Sequence, residues 1–159
     1  MSHWLFPGSF DPVTCAHEAL ALRAAALCDT LTVAVLQNRD KPADRSLELR
    51  MEWLRRVFAS CPNIRVDCFE GALADYAKSI GADALVRAIR DSSDLEYEYP
   101  WARLHLAREG VETVFLAPEA QYADLSSSQV RQWAGLGKNL SGLVPECIRE
   151  DVESLFRQG

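Results

Sequence analysis

A few residues in this chain have the types and spacing needed to handle phosphate. His17 follows a stretch, Pro7-Gly8-Ser9-Phe10-Asp11-Pro12-Val13-Thr14, in which two prolines and a glycine fix a rigid turn. Thr14 is a good helix cap, so His17 falls in the first turn of the helix that follows. A helix N-terminus carries partial positive charge and free N–H donors, and a histidine there adds one more donor. Ser126-Ser127-Ser128 opens a second helix, with Gln129 three residues beyond Ser126 in capping-box spacing. Arg87 and Arg90 flank a short loop after an apolar run, where two guanidinium groups can grip phosphate oxygens bidentately. Each feature also has a plainer reading. His17 fits a satisfied, partly buried histidine, the serines a capped helix start, and the arginines a surface pair facing Asp91, Asp94 and Glu96.

Other chemistries find less support. The sequence has no evident Ser-His-Asp arrangement and no metal-ligand cluster. Gly135-Leu136-Gly137-Lys138 is not a phosphate-binding P-loop, because it ends a helix instead of starting one. The five cysteines are scattered, with no Cys-x-x-Cys pair, which points to free or buried thiols in a reducing compartment. Net charge is −6, and lysine and arginine form no run, which argues against a nucleic-acid partner. An acidic protein can still bind anions through a few placed cations and backbone N–H groups. Apolar stretches such as Leu31 to Leu36 are far short of a membrane span. The N-terminus has neither a basic start nor a signal-like apolar run, so a soluble, cytoplasmic protein without membrane partners is expected.

Short β-type runs alternate with helix-type runs along the whole chain. Strands are expected at Trp4–Phe6, Leu31–Leu36, Ile64–Phe69, Ala84–Arg87 and Thr113–Ala117. Most are continuously apolar and β-branched, as strands covered on both faces tend to be. Helical period runs through Ala16–Cys28, with His17, Leu20, Ala24 and Leu27 on one stripe, and through Leu47–Ser60, with Leu47, Met51, Leu54 and Phe58. Ala72–Ile80 ends at Gly81, Ser126–Leu136 closes at Gly137, and a last helix starts near Pro145. Strand–helix alternation implies right-handed crossovers, hence an α/β fold with one doubly wound, five-stranded parallel sheet and C-terminal helices. A single domain over residues 1–159 is expected. Ligands of such sheets bind beyond the carboxyl ends of the strands, where strand order reverses. The loops carrying the residues above are the ones that end there.

The segment Pro7-Gly8-Ser9-Phe10-Asp11-Pro12-x-Thr14-x-x-His17 resembles the N-terminal signature of the phosphopantetheine adenylyltransferases, a family of the nucleotidyltransferase superfamily. Further blocks are similar to that family in the same order: Asn63 to Phe69, Arg87-Ala88-Ile89-Arg90 through Glu98, Glu112 to Pro118, and Tyr122 to Ser128. The resemblance implies a Rossmann-like nucleotidyltransferase fold and transfer of AMP from ATP to 4′-phosphopantetheine, a step of coenzyme A biosynthesis. It implies catalytic roles for His17, Lys41, Arg90 and Ser127. It implies ATP contacts at Ser9, Phe10, His17, Ala88, Ile89, Arg90, Glu98, Tyr122, Ala123, Asp124, Leu125, Ser126, Ser127 and Ser128, with Glu98 near the ribose. Acceptor contacts are implied at Ser9, Lys41, Leu73 and Arg87, with Leu73 on the pantetheine arm and Arg87 on its phosphate. The resemblance further implies Mg²⁺ accompanying ATP, a homohexamer, and coenzyme A as a feedback inhibitor. Ala16 and Ala88 stand where the family has glycine, Ser9 where it usually has threonine, and Pro42 where it has a second lysine.

Such a reaction needs no general base. A phosphate monoester is largely dianionic at neutral pH, its second pKa being about 6, and is already a nucleophile. The protein has to align it with the α-phosphorus of ATP and stabilise developing charge. Two other readings stay open on the sequence: a sister enzyme using another phosphorylated acceptor or another nucleotide, and a non-catalytic nucleotide or coenzyme A sensor.

Overall fold

The computed structural model describes residues 1–38, 40, 43 and 45–157. Five strands and six helices alternate. The order is β1 (His3–Gly8), α1 (Cys15–Ala25), β2 (Thr30–Gln37), α2 (Leu47–Val57), β3 (Ile64–Glu70), α3 (Leu73–Ser79), β4 (Ala84–Ala88), α4 (Ser92–Glu109) and β5 (Glu112–Leu116). A 3-10 turn (Ala120–Tyr122), α5 (Ser127–Gly135) and α6 (Glu146–Phe156) follow. The strands form one sheet in the order β3-β2-β1-β4-β5, every pair parallel. The chain winds outward from β1 to β3, returns to lay β4 beside β1, and adds β5. Strand order therefore reverses between β1 and β4, which is where a crevice opens in sheets of this kind.

Period-two alternation assigns the strand side chains to two faces. Phe6, Leu31, Val33, Val35 and Val86 point to one face. There they pack with Leu20 and Ala24 of α1, Leu54 of α2, Val130 and Ala134 of α5, and Ile148 and Val152 of α6. Leu5, Ala34, Phe69 and Leu85 point to the other, with Ala77 of α3 and Val111. Both faces being covered explains why the strands read as continuous apolar runs. Arg87 shares the parity of Leu85 and so leaves the sheet on the α3/α4 face.

The expected strands all form, each within about two residues of its expected bounds, and four helices run shorter than the sequence suggested, α5 only by its two caps, Ser126 and Leu136. α1 stops at Ala25, not Cys28: the Ala26 N–H turns back to Leu22 and Ala24, and Cys28 Sγ donates to the Ala24 carbonyl at 3.3 Å. Leu27, expected on the inward stripe, is therefore 60% exposed. α2 ends at Val57 instead of Ser60, because Cys61 N–H bonds the Phe58 carbonyl in a turn at 3.0 Å. α3 spans Leu73–Ser79 between Ala72 and Ile80 as its caps, with Gly81 at φ 70°, the left-handed geometry expected at its end. α4 is the longest helix and buries none of its residues. It carries no one-sided apolar stripe by which the sequence could delimit it.

Candidate active site

The turn between β1 and α1 is built around Phe10. Its backbone is left-handed at φ 47°, a conformation that costs a non-glycine residue roughly 1–2 kcal/mol. The surroundings compensate. The Phe10 ring meets Phe6 edge-on at 5.5 Å and His17 edge-on at 5.0 Å between centroids. A Cβ at Gly8 would come within 3.0 Å of that ring, so only glycine leaves it this place. Beneath the turn, Arg50 Nη1 donates to the Ser9 carbonyl at 2.8 Å.

The cap of α1 decides the state of His17. The Thr14 N–H donates to His17 Nδ1 at 3.0 Å, and the His17 N–H donates to Thr14 Oγ1 at 3.4 Å, a reciprocal capping box. With the Nδ1 lone pair engaged, the proton of the neutral ring resides on Nε2. Burial pushes the His17 pKa down to about 4, so the imidazole is neutral at pH 7. In this state the ring offers one hydrogen-bond donor, Nε2–H, held in place by the cap. Its neighbour Cys15 is inert for a related reason, burial raising its thiol to about 11.

α5 begins against the same turn. Ser126 caps it, its Oγ accepting from Gln129 N–H at 3.2 Å. Ser127 Oγ donates to the Pro12 carbonyl at 2.8 Å, and Arg131 Nη1 donates to the Asp11 carbonyl at 2.6 Å. Two helix N-termini therefore open on one cleft of about 800 Å³, lined by Ser9, Phe10, Asp11, His17, Ser127 and Ser128 together with Gln37, Asn38, Arg45, Arg50 and Arg131. Three arginines around one cleft make a local cationic field in a chain whose net charge is −6.

A second cleft of about 490 Å³ lies on the α3/α4 face. Its walls include Leu73, Leu85, Tyr97, Trp101 and Leu104, and its polar groups include Arg87 and Glu98. Arg87 is held by Glu98 through Nε at 3.0 Å and Nη2 at 2.6 Å. Leu36, at the carboxyl end of β2, lines both clefts, so the two meet at the edge of the sheet.

The sequence-derived residues fall into three groups. Ser9, Phe10, His17, Ser127 and Ser128 share the first cleft. Leu73 and Arg87 share the second, and Glu98, expected beside the nucleotide ribose, lies there too, paired with Arg87. Arg90 lines neither cleft. It is paired with Asp94 at 3.0 Å, which raises its pKa and holds the carboxyl of Asp94 low. Ala88 ends β4, and Ile89 N–H extends the ladder to the Leu116 carbonyl at 3.0 Å. Tyr122, Ala123, Asp124 and Leu125 lead into α5, with Leu125 N–H bonding the Tyr122 carbonyl at 3.1 Å. The charge of Asp124 acts on Arg90 and that of Glu18 on Tyr122, so this segment runs between Arg90 and the start of α1. Lys41 lies outside the described residues.

Sequence reasoning missed Arg45, Arg50 and Arg131. Two of them left a signal. Arg50 sits three residues after Leu47 and four before Leu54, on the inward stripe of α2. Arg131 follows Ser127 by one helical turn and so shares its face.

This fold, with two helix N-termini and clustered cations at its carboxyl edge, defines a nucleotide-handling α/β enzyme. A family model described as cytidylyltransferase-like matches residues 5–133, and the chain belongs to that family of nucleotidyltransferases. The chain is similar to proteins named phosphopantetheine adenylyltransferase. The relative from Nocardioides sp. is 40% identical over all of both chains. Those from Caldanaerobacter subterraneus subsp. tengcongensis and Thermomicrobium roseum are each 41% identical, over 97% of this chain and 97% of the relative, and 99% and 97%, respectively. At that likeness over its whole length, the chain is a member of the phosphopantetheine adenylyltransferase branch of the family.

Proposed function

We propose that this chain transfers AMP from ATP to 4′-phosphopantetheine, giving dephospho-CoA and pyrophosphate in coenzyme A biosynthesis. The observation that carries the reading is the meeting of two unlike clefts at Leu36. One is lined by three arginines and the starts of two helices, the other is largely apolar with Arg87 among its polar groups. A triphosphate suits the first. An extended, mostly apolar arm ending in a phosphate suits the second. Their junction is where an acceptor phosphate and an α-phosphorus can be brought in line.

In this mechanism the acceptor phosphate attacks unaided. His17 donates from Nε2 to a phosphoryl oxygen as charge grows there, its ring held in place by the Thr14 cap. The N–H groups of Ser127 and Ser128 have no acceptor among the described residues and add to that stabilisation. For Arg87 to grip the acceptor phosphate, its bidentate hold on Glu98 must loosen, so acceptor binding exchanges one anionic partner for another. Arg90, Lys41 and the 122–125 segment are read as nucleotide contacts on the family pattern. Mg²⁺ enters as part of the MgATP substrate.

A cytoplasmic homohexamer inhibited by coenzyme A completes the proposal. Self-association is supported by α4, which buries no residue and exposes Tyr97, Tyr99, Trp101 and Leu106. The direct test is pyrophosphate release with ATP and 4′-phosphopantetheine, run beside nicotinate mononucleotide, glycerol phosphate and other nucleotides. Turnover confined to 4′-phosphopantetheine is expected. Turnover with a different acceptor alone, or with none, refutes the reading.

A further inference from the structure

Arg50 is a costly residue where it stands. It is 4% exposed, one of four buried polar or charged residues among those described, with Asp11, Thr14 and Thr32. It lies in the first turn of α2, the positive end of the helix dipole, where a cation is disfavoured. Its bonds run to backbone carbonyls: Nε to Arg45 and Ser46 at 3.1 and 3.4 Å, Nη1 to Ser9 at 2.8 Å. It is not in ion-pair contact with a carboxylate among the described residues. The charges of Asp11 and Glu48 reach it only at longer range, and burial pulls its pKa down. Nη2 has no protein partner there and is not sealed off, since Arg50 lines the first cleft.

A buried guanidinium without a carboxylate in contact is expected to be destabilising unless an anion completes it. Four other features of the same cleft are suited to one: His17 Nε2–H, the start of α5, Arg45 and Arg131. We propose that Arg50 binds a polyphosphate directly, taking an oxygen of the nucleotide's β- or γ-phosphate through Nη2 and retaining it on the departing pyrophosphate. The same side chain fixes the Ser9 carbonyl, so the anion and the turn bearing Phe10 are held by one planar group. The inference rests on the nucleotidyltransferase reading of this cleft, without depending on the identity of the acceptor.

The test is calorimetric titration of the full chain with inorganic pyrophosphate and, separately, with AMP, which has no β- or γ-phosphate. Arg50→Gln is expected to weaken pyrophosphate binding at least ten-fold and to change AMP affinity less than three-fold. Arg50→Lys, which keeps the charge but not the fork, is expected to lose several-fold for pyrophosphate with AMP unchanged. If the Gln variant melts below the assay temperature, the Lys variant alone decides on that criterion. Wild-type affinity for pyrophosphate in the variant that folds overturns the inference, as does equal loss of both ligands, which would mean a collapsed turn. A wild type that binds no pyrophosphate overturns it as well. Since no acceptor is present, an Arg50-dependent pyrophosphate site stands even if 4′-phosphopantetheine turns out not to be the acceptor.

Discussion

Because the Thr14 N–H donates to Nδ1 and burial holds the ring neutral, His17 has one remaining ring donor, Nε2–H, in a fixed position. His17→Ala should lower kcat about 10²–10³-fold, the usual loss for a preorganised donor to a developing oxyanion. Its stability should fall only by the lost capping contact, about 1 kcal/mol, and a variant with wild-type kcat would exclude His17 from catalysis. The same burial makes a pH prediction. The folded pKa, about 4, lies below the ordinary value of 6.5. This contribution to stability is complete above pH 6.5 and is lost as pH falls toward 4, where the unfolded chain takes up a proton that the folded chain refuses. Urea titrations at pH 7 and 4.5 should show a smaller acid loss for His17→Gln than for wild type; equal losses would contradict the burial argument. His17, Thr14 and Ser127 were legible because caps are local features, written in adjacent residues. Arg50 and Arg131 were passed over despite their helical spacing from Leu47 and Ser127, since charged residues on helices usually face solvent. For Arg90 it is the plainer reading, a surface arginine facing Asp94, that the structure matches.

At the scale of elements, the β1–α1 turn is the part most sensitive to shape. Gly8→Ala puts a methyl group 3.0 Å from the Phe10 ring, which is braced by Phe6 and His17. A cost of about 1–3 kcal/mol is expected in urea unfolding, as for overpacking elsewhere, together with a fall in kcat as His17 is displaced. An unchanged melting curve and an unchanged kcat would mean that the ring is not braced. The strands were legible because burial on both faces leaves a continuous apolar signal. The early end of α1 was not: Leu27 continues the helical spacing, but the backbone has already turned toward β2. α4 was the least legible element, since its half-buried stripe, Asp94, Glu98, Ala102, His105 and Glu109, is mostly polar and lacks the one-sided apolar pattern by which helices are recognised.

That unburied helix belongs to the scale of the whole molecule. Tyr99 and Leu106, each about half exposed, are apolar surface that a second copy of the chain would cover. Sedimentation should report an assembly of several chains, and Tyr99→Glu with Leu106→Glu should reduce its mass; a monomeric wild type would contradict this. The parallel sheet and its order of elements followed from alternation alone. The division of the site into two clefts did not, because it depends on which face of the sheet each strand end supplies: parity sends Arg87 to the face opposite His17, where Glu98 of α4 meets it. The proposed function turns on one act of bond exchange between the two clefts that Leu36 lines. The measurement that reaches it most directly is product analysis after incubation with MgATP and 4′-phosphopantetheine. Dephospho-CoA and pyrophosphate should accumulate in equal amounts. ADP and orthophosphate in their place, or unreacted ATP, would mean that no adenylyl group is moved here.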